Sequence, residues 1–415
     1  MTRRRLLLRG GRVFTGDATE AADVLLDGER VIGVGAGLDG DTELDVEGLT
    51  VLPGLIDCHV HVCLSGVDRL RMMREPFSYQ FFAAARNLAT LLDCGITLAR
   101  DAGGADLGMK AALADGLIEG PRLVTAVSVL GQTGGHTDGW LPSGMSLPLL
   151  TPHPGRPDMV VDGPGAMRVR VRELVRAGAD VIKICTSGGV ISPNDDLRHP
   201  HFDDEELAAC VAEAARAGLA VMAHAHGATG IRHAVRAGVR SIEHGVYLDD
   251  QAISLMLESG TWLVPTLVAP VALLEEIDNG LSVPEPVARK AREVVEVHRA
   301  SVARAVDAGV RIAMGTDSGV FPHGHNLREL ELLHRAGLPA PAVLRAATSE
   351  AADLLGMAGD AGAVAPGRRA DLVLVEGDPF DFADYRSRIR GVVQRGVLVR
   401  SAPHGLTAEA GHASA

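Results

Sequence analysis

Apolar positions fall into two textures along the chain. At 6–14, 24–34 and 44–52 short alternating runs are broken by glycine. A period of two, with Asp27-Gly28 between two apolar runs, predicts strands joined by tight turns. The same texture returns at 370–379 and 389–399. The two β-rich ends, 1–52 and 359–403, are therefore expected to pair into one small β-sandwich domain, leaving 404–415 as a tail.

Between them, over 53–358, short apolar runs alternate with longer segments of helical period, the pattern of a parallel sheet with crossover helices. Eight runs read as buried strands: 55–61, 97–101, 122–128, 180–186, 220–224, 241–244, 262–267 and 311–317. Eight in this order predict an α/β fold, a (β/α)8 TIM barrel. The segments between them are rich in Ala, Glu, Arg and Leu; 203–218 opens on acidic residues and closes on Gly218, as a helix should. The stretch 140–165 is dense in Pro and Gly and reads as a long surface loop, either a plain connection or a lid.

Composition narrows the function classes. The 415 residues carry 40 Lys plus Arg against 53 Asp plus Glu, a net charge of −13, with no basic run longer than Arg3-Arg4-Arg5. That balance argues against nucleic acid as a partner. No apolar run approaches the ~20 residues of a membrane helix. The first nine residues are too short for the apolar part of a signal peptide, so a cytoplasmic protein without a membrane partner is expected. The five cysteines are odd in number and form no C-x-x-C pair, which fits reduced thiols in the core.

In a barrel the C-terminal strand ends share one mouth, so polar residues closing different strands converge. The first candidate strand closes on His59-Val60-His61, which puts both imidazoles on one face. The fifth closes on His224-Ala225-His226, the sixth on Glu243-His244, and the eighth on Thr316-Asp317. Lys183 sits in an alternating apolar run where an unpaired ammonium is expensive, so it must be paired, neutral or chemically altered. Imidazoles and a carboxylate gathered this way are the ligand set of zinc, manganese, iron, cobalt or nickel.

The ordered set Pro53 to His61, Gly95 to Asp101, Thr133-Gly134-Gly135-His136, Gly178 to Lys183, Ala223 to Gly227, Ile242 to Gly245, Gly315-Thr316-Asp317 and Gly367 to Asp371 resembles the amidohydrolase superfamily in its binuclear-metal form. Within it, the chain is similar to the imidazolonepropionase-related, prolidase-like branch of Xaa-Pro dipeptidases and Xaa-Arg/Lys carboxypeptidases. The resemblance implies two divalent metal ions, zinc first among them. His59, His61 and Asp317 would hold one and His224 with His244 the other, bridged by Lys183 N-carboxylated by CO2. His226 would be a spare ligand or a neighbour of the ligands. A hydroxide bridging the metals would attack an amide-type C–N bond, with Asp317 moving the proton and His136 donating to the scissile carbonyl.

For substrate contacts, the loops after the strands offer Arg198, Tyr247 and His323. Tyr247 and Arg198 are candidate donors to a substrate carboxylate. The expected partner is a small amide, peptide or carbamate, and homo-oligomers are common among such barrels. Two other readings stay open at this level: a deaminase or cyclic-amide hydrolase of the same superfamily, and a catalytically dead scaffold.

Overall fold

A computed structural model describes residues 5–192, 195–401 and 409–410. The two β-rich ends share a sheet because strand Leu49–Pro53 runs antiparallel to Leu372–Glu376, with Leu52 opposite Val373. That six-stranded sheet has the order Val397–Ser401, Ile389–Gln394, Leu372–Glu376, Leu49–Pro53, Arg12–Phe14, Thr19–Ala21. A five-stranded sheet orders Glu409–Ala410, Thr42–Asp45, Leu6–Arg9, Asp23–Asp27 and Arg30–Gly35. Asp27 pairs with Arg30 across the two-residue turn Gly28-Glu29, in which Gly28 takes the first position with φ +53°, a left-handed backbone open to glycine without strain. Leu8, Val24 and Leu44 from one sheet meet Val51, Leu374 and Val393 from the other in a single apolar cluster. The expected tail, 404–415, lies outside the described residues apart from Glu409 and Ala410.

The middle of the chain is α/β, with every sheet pairing parallel. One sheet joins Leu55–Val60, Ile96–Asp101 and Arg122–Thr125; another joins Val129–Leu130, Val181–Cys185, Ala220–Ala225, Ser241–His244 and Trp262–Val264. Leu55–Val60 and Ile96–Asp101 are buried at every position, the pattern of parallel strands covered on both faces. Helices such as Tyr79–Asp93, Pro164–Arg176 and Asp204–Arg216 lie between the strands in sequence. The last of these starts with a capping box in which Asp203 and Glu206 each accept the other's backbone N–H.

Two seams link these sheets. On one side Asp180 N donates to Thr125 O at 2.8 Å. On the other, segment 311–318 lies between Trp262–Val264 and Leu55–Val60: Ala313 N donates to Leu263 O at 3.0 Å, Cys58 N to Met314 O at 2.8 Å, and Asp317 N to His59 O at 2.7 Å. The strand expected at 311–317 is thus a set of backbone contacts with isolated bridges at Ile312 and Ser318. The ladder breaks because Asp317 has φ +60°, which turns the chain out of the extended form. Gly315 makes the close approach possible, since a Cβ there would stand 2.9 Å from His59 Cβ and 2.3 Å from a Val264 methyl.

The stretch 140–165 carries no regular element before helix Pro164–Arg176, yet it buries Leu149 and Leu150. No helix of the described residues is long and apolar enough to cross a membrane. All five cysteines are free and buried.

Asp360 ties the β-rich ends to the α/β region by accepting from Arg30 at 2.6 Å, Arg122 at 2.9 Å and Arg369 at 3.2 Å. Partial burial raises its pKa, but the three guanidiniums outweigh that and hold the carboxyl at about 2. A lowered carboxylate pKa means that the stabilisation is complete above the ordinary aspartate range and is lost as pH falls through about 2. Asp360→Ala is expected to lose about 2 kcal/mol of stability at neutral pH. Urea denaturation of the variant and the parent checks this; equal midpoints at pH 7 would show that the seam does not depend on this carboxylate.

Candidate active site

The site is built where the parallel strands end. His59 is buried in the first of them, and its two ring nitrogens face different partners: Nδ1 meets Glu243 Oε2 at 2.7 Å, and Nε2 lies 3.3 Å from Asp317 Oδ1. His61 repeats the arrangement, with Nδ1 on Gly103 O at 2.9 Å and Nε2 3.3 Å from the same Asp317 oxygen. Two imidazole nitrogens therefore converge on one carboxylate oxygen. Burial raises the Asp317 pKa, but His59 and His61 outweigh it and hold the carboxyl well below the usual range, so it is ionised.

His224 closes Ala220–Ala225, and His244 closes Ser241–His244. His226, His224 and His244 bring ring nitrogens within 4.8 Å of one another, and His59, His244 and Asp317 bring two ring nitrogens and a carboxylate oxygen equally close. The three rings at 224, 226 and 244 have their pKa values driven well down, first by burial and then by neighbouring groups that include one another. Neutral imidazoles keep the lone pair that a metal ligand needs. His226 takes a larger share in this cluster than its spare role in the sequence implies, and its Nδ1 is buried without a hydrogen-bond partner among the described residues.

Lys183 is 2% exposed, and its Nζ has no hydrogen-bond partner among the described residues. Burial lowers its pKa against the opposing pull of Glu243, Cys185 and Asp317. Lys183, the five histidines at 59, 61, 224, 226 and 244, His136 and Asp317 line one cavity with about 750 Å³ of empty space. Apolar side chains, among them Leu64, Val129, Leu149, Val190 and Leu273, form much of the remaining wall.

His136 stacks on His224 at 4.5 Å between ring centroids. Its Nδ1 meets Ser192 Oγ at 2.8 Å, and a Cβ on Gly189 would collide with the ring at 2.1 Å. Burial first, then the Arg69 charge, lowers its pKa well below the ordinary histidine value.

Three sequence candidates stand elsewhere. Arg198 and Tyr247 are both spent on Glu293, at 2.6 and 2.7 Å, with the guanidinium stacked 4.3 Å over the phenol ring. Glu293 lies on helix Glu285–Asp307, far along the chain, so no local pattern reveals the competition. His323 turns to Ser318 Oγ at 3.1 Å and Leu64 O at 3.2 Å, binding one loop to another, and burial holds its pKa at about 4. None of the three lines this cavity.

Sequence reasoning also missed the partners behind the site histidines. Arg100 Nη2 bonds both Glu243 oxygens, at 2.9 and 3.1 Å, while Arg100 Nε donates to Cys58 O at 2.6 Å. Thr266 Oγ1 holds His244 Nδ1 at 2.7 Å, and His298 Nε2 holds the His244 carbonyl at 2.8 Å. The signal for Arg100 was the one that singled out Lys183, a cation in an apolar run.

With this geometry in place, likeness to known proteins becomes informative. Residues 50–400 match the model of the amidohydrolase family. The chain belongs to the amidohydrolase family. Ochratoxinase of Aspergillus niger is 35% identical over 347 residues, 80% of this chain and 71% of that protein. The crystal structure of a prolidase complexed with N-methylphosphonate-L-proline superposes with a TM-score of 0.88 at 36% identity, covering 96% of this chain and 100% of the other. A more distant relative is the 5-methylthioadenosine/S-adenosylhomocysteine deaminase of Natronomonas pharaonis, 25% identical over 426 residues, 90% of this chain and 84% of that protein.

Because Glu243 both orients His59 and neutralises Arg100, Glu243→Gln is expected to weaken metal retention by about 10–100-fold. Metal content after dialysis against graded chelator checks this. Retention equal to the parent would deny Glu243 any part in orienting His59.

Proposed function

We propose that this chain is a metal-dependent hydrolase of amide-type C–N bonds, acting on a dipeptide, an N-acyl amino acid or a related amide or carbamate. The observation that carries the reading is the convergence of His59, His61, His224, His244 and Asp317 around the unpartnered amine of Lys183. Likeness to ochratoxinase and to a prolidase supports amide hydrolysis. In this reading the parallel strands close as a (β/α)8 barrel over 53–358, and the chain ends, 1–52 and 359–403, form a β-sandwich at its side. Free, buried cysteines support a reducing, cytoplasmic setting.

The donor set fits two divalent ions, zinc first. Neutral imidazoles and one ionised carboxylate are the right ligand types, and an orphaned buried amine is out of place unless it is converted. Burial favours the neutral Lys183 amine, the form that adds to CO2 to give a carbamate and a released proton. His59, His61 and Asp317 would hold one ion, His224 and His244 the second, and carboxylated Lys183 would join them, with His226 close enough to substitute. When bound, the ions supply an acidified water and polarise the substrate carbonyl.

The chain's own residues do the rest. Asp317, fixed by its backbone N–H on the His59 carbonyl, presents an ionised carboxylate that takes a proton and returns it to the departing nitrogen. Ser192 Oγ gives its one proton to Asp195 Oδ1 at 2.5 Å and so accepts from His136 Nδ1–H; His136 would donate to the carbonyl oxygen, as negative charge grows there, only after taking up a second proton on Nε2. The apolar wall excludes bulk water and strengthens both interactions.

The deaminase reading has support in the Natronomonas relative. It needs a carboxyl group free to carry protons near the strand ends. Glu243 is the glutamate at the end of Ser241–His244, and both its oxygens are held by Arg100, Ser241 and His59. That engagement favours the hydrolase.

Protein produced with bicarbonate and no chelator should contain about two metals per chain, falling sharply in Lys183→Ala. Asp317→Asn should lower kcat on amide substrates by about 10²–10⁴. Metal analysis and a panel of dipeptides, N-acyl amino acids and carbamates make the test. A single metal that ignores Lys183, together with ammonia release from an aminated heterocycle, would overturn the reading.

A further inference from the structure

Next to the ligand cavity lies a second one of about 830 Å³ of empty space, and Ile191 belongs to both walls. Its lining is mostly apolar, including Leu147, Val283, Pro284 and Val287, with the exposed indole of Trp140 at the edge. Arg69 stands in this wall, at the first position of helix Arg69–Arg74. A cation at a helix N-terminus opposes the helix dipole, so local structure gives no reason for it.

The Arg69 guanidinium is poorly served by the fold. Nη2 is buried with no hydrogen-bond partner among the described residues, and Nη1 reaches only the Leu147 carbonyl at a long 3.4 Å. Leaving a buried charged donor unmatched costs on the order of 1–3 kcal/mol, which a bound acceptor would recover. The acids of this wall are occupied: Asp138 accepts from Gly134 N at 2.8 Å and Trp140 N at 3.0 Å, and Asp68 from Arg71 N at 2.9 Å. Asp195, which also attracts Arg69, is bound to Ser192 Oγ, Gly189 N and Lys290. Nearby cations are committed as well. Arg198 is held by Glu293, and Lys290 by the carbonyls of Gly189, Ser192 and Asp195. The Arg69 charge is felt at His136, which places it close to the ligand cavity.

We propose that Arg69 receives the carboxylate of an N-acyl amino acid whose apolar side chain lies among Trp140, Leu147, Val283 and Val287, while its amide reaches past Ile191 to the ligand cavity. This rests on the hydrolase reading and adds to it the substrate class: a free carboxylate and an apolar side chain on the amine half. A guanidinium fork matches a planar carboxylate. The apolar wall beside it favours a Phe- or Leu-like side chain over a charged one.

Calorimetric titration of N-benzoyl-L-phenylalanine and of its carboxamide tests this, with Asp317→Asn protein as the slow parent so that neither amide is consumed during the titration, and with Arg69→Gln or Trp140→Ala added to it. The parent should bind the acid about tenfold more tightly than the carboxamide, and Arg69→Gln should abolish that preference while binding the carboxamide as before. Trp140→Ala, at an exposed position, should weaken the phenylalanine compound about fivefold and leave N-benzoylglycine unchanged. Equal affinity for acid and carboxamide in the parent, absence of binding, or an acid preference that survives Arg69→Gln would overturn the proposal. Acid-selective binding with no hydrolysis of any amide would instead sustain the subsite and sink the hydrolase reading.

Discussion

Arg100 and Glu243 form an ion pair buried to within 3% exposure on the guanidinium side and fully on the carboxylate side, and the orientation of His59 depends on it. Glu243 faces two ways, with Arg100 on one side and His59 Nδ1 on the other. Removing either charge would leave the other buried and uncompensated, a loss of about 3–5 kcal/mol. Replacement of the pair by apolar side chains would spare that loss but would free the His59 ring to turn. Geometry at the strand ends is therefore the better account of why a costly pair sits between parallel strands, since an imidazole with a fixed Nδ1 partner has a fixed Nε2 direction.

A second constraint acts on the backbone. His244, Thr266 and Asp317 all adopt positive φ, at 74°, 56° and 60°, and each stands where the chain leaves its parallel run. Such conformations cost on the order of 1–3 kcal/mol for residues with a Cβ. They persist because neighbours hold them: Asp317 N on His59 O, and Leu267 N and Val268 N on the buried Glu329 carboxyl at 2.9 and 2.7 Å. Asp57 adds a similar brace by accepting from Thr316 Oγ1 at 2.7 Å and Asn326 Nδ2 at 2.9 Å, which joins the first strand to segment 311–318. The strain turns side chains at three chain exits toward one another.

Strand period, glycine turns and the positions of histidines were legible in the sequence because each depends on residues within a few places of one another. Hence the pairing of the chain ends, the parallel order and the convergence of His59, His61, Lys183, His224, His244 and Asp317 could be anticipated. The interrupted strand at 311–317 could not, because Asp317 leaves the extended form for a reason that lies in His59, across the fold. Arg198 and Tyr247 looked like free donors for the same reason: Glu293, their acceptor, is a helix residue about fifty to a hundred positions away, at |i−j| of 46 and 95. Polar residues can be placed near a mouth from local pattern alone. Whether another side chain has already claimed them is a tertiary fact.

That distinction locates the binding space. Behind the strand ends, Asp57, Arg100, Glu243 and Glu329 have their polar atoms matched by donors or acceptors. Toward the two cavities the matching stops: Lys183 Nζ, His226 Nδ1, His298 Nδ1 and Arg69 Nη2 are buried without partners among the described residues. Unmatched buried atoms also occur elsewhere, as at Tyr385 Oη and Arg122 Nε, so one such atom carries little weight. Four lining two adjacent cavities that share Ile191 are a different matter, because they form one local cluster rather than scattered single atoms. In the proposed reading, cations, CO2 and a substrate carboxylate would complete that unmet capacity, which runs from Lys183 among the site histidines to Arg69 beside Trp140.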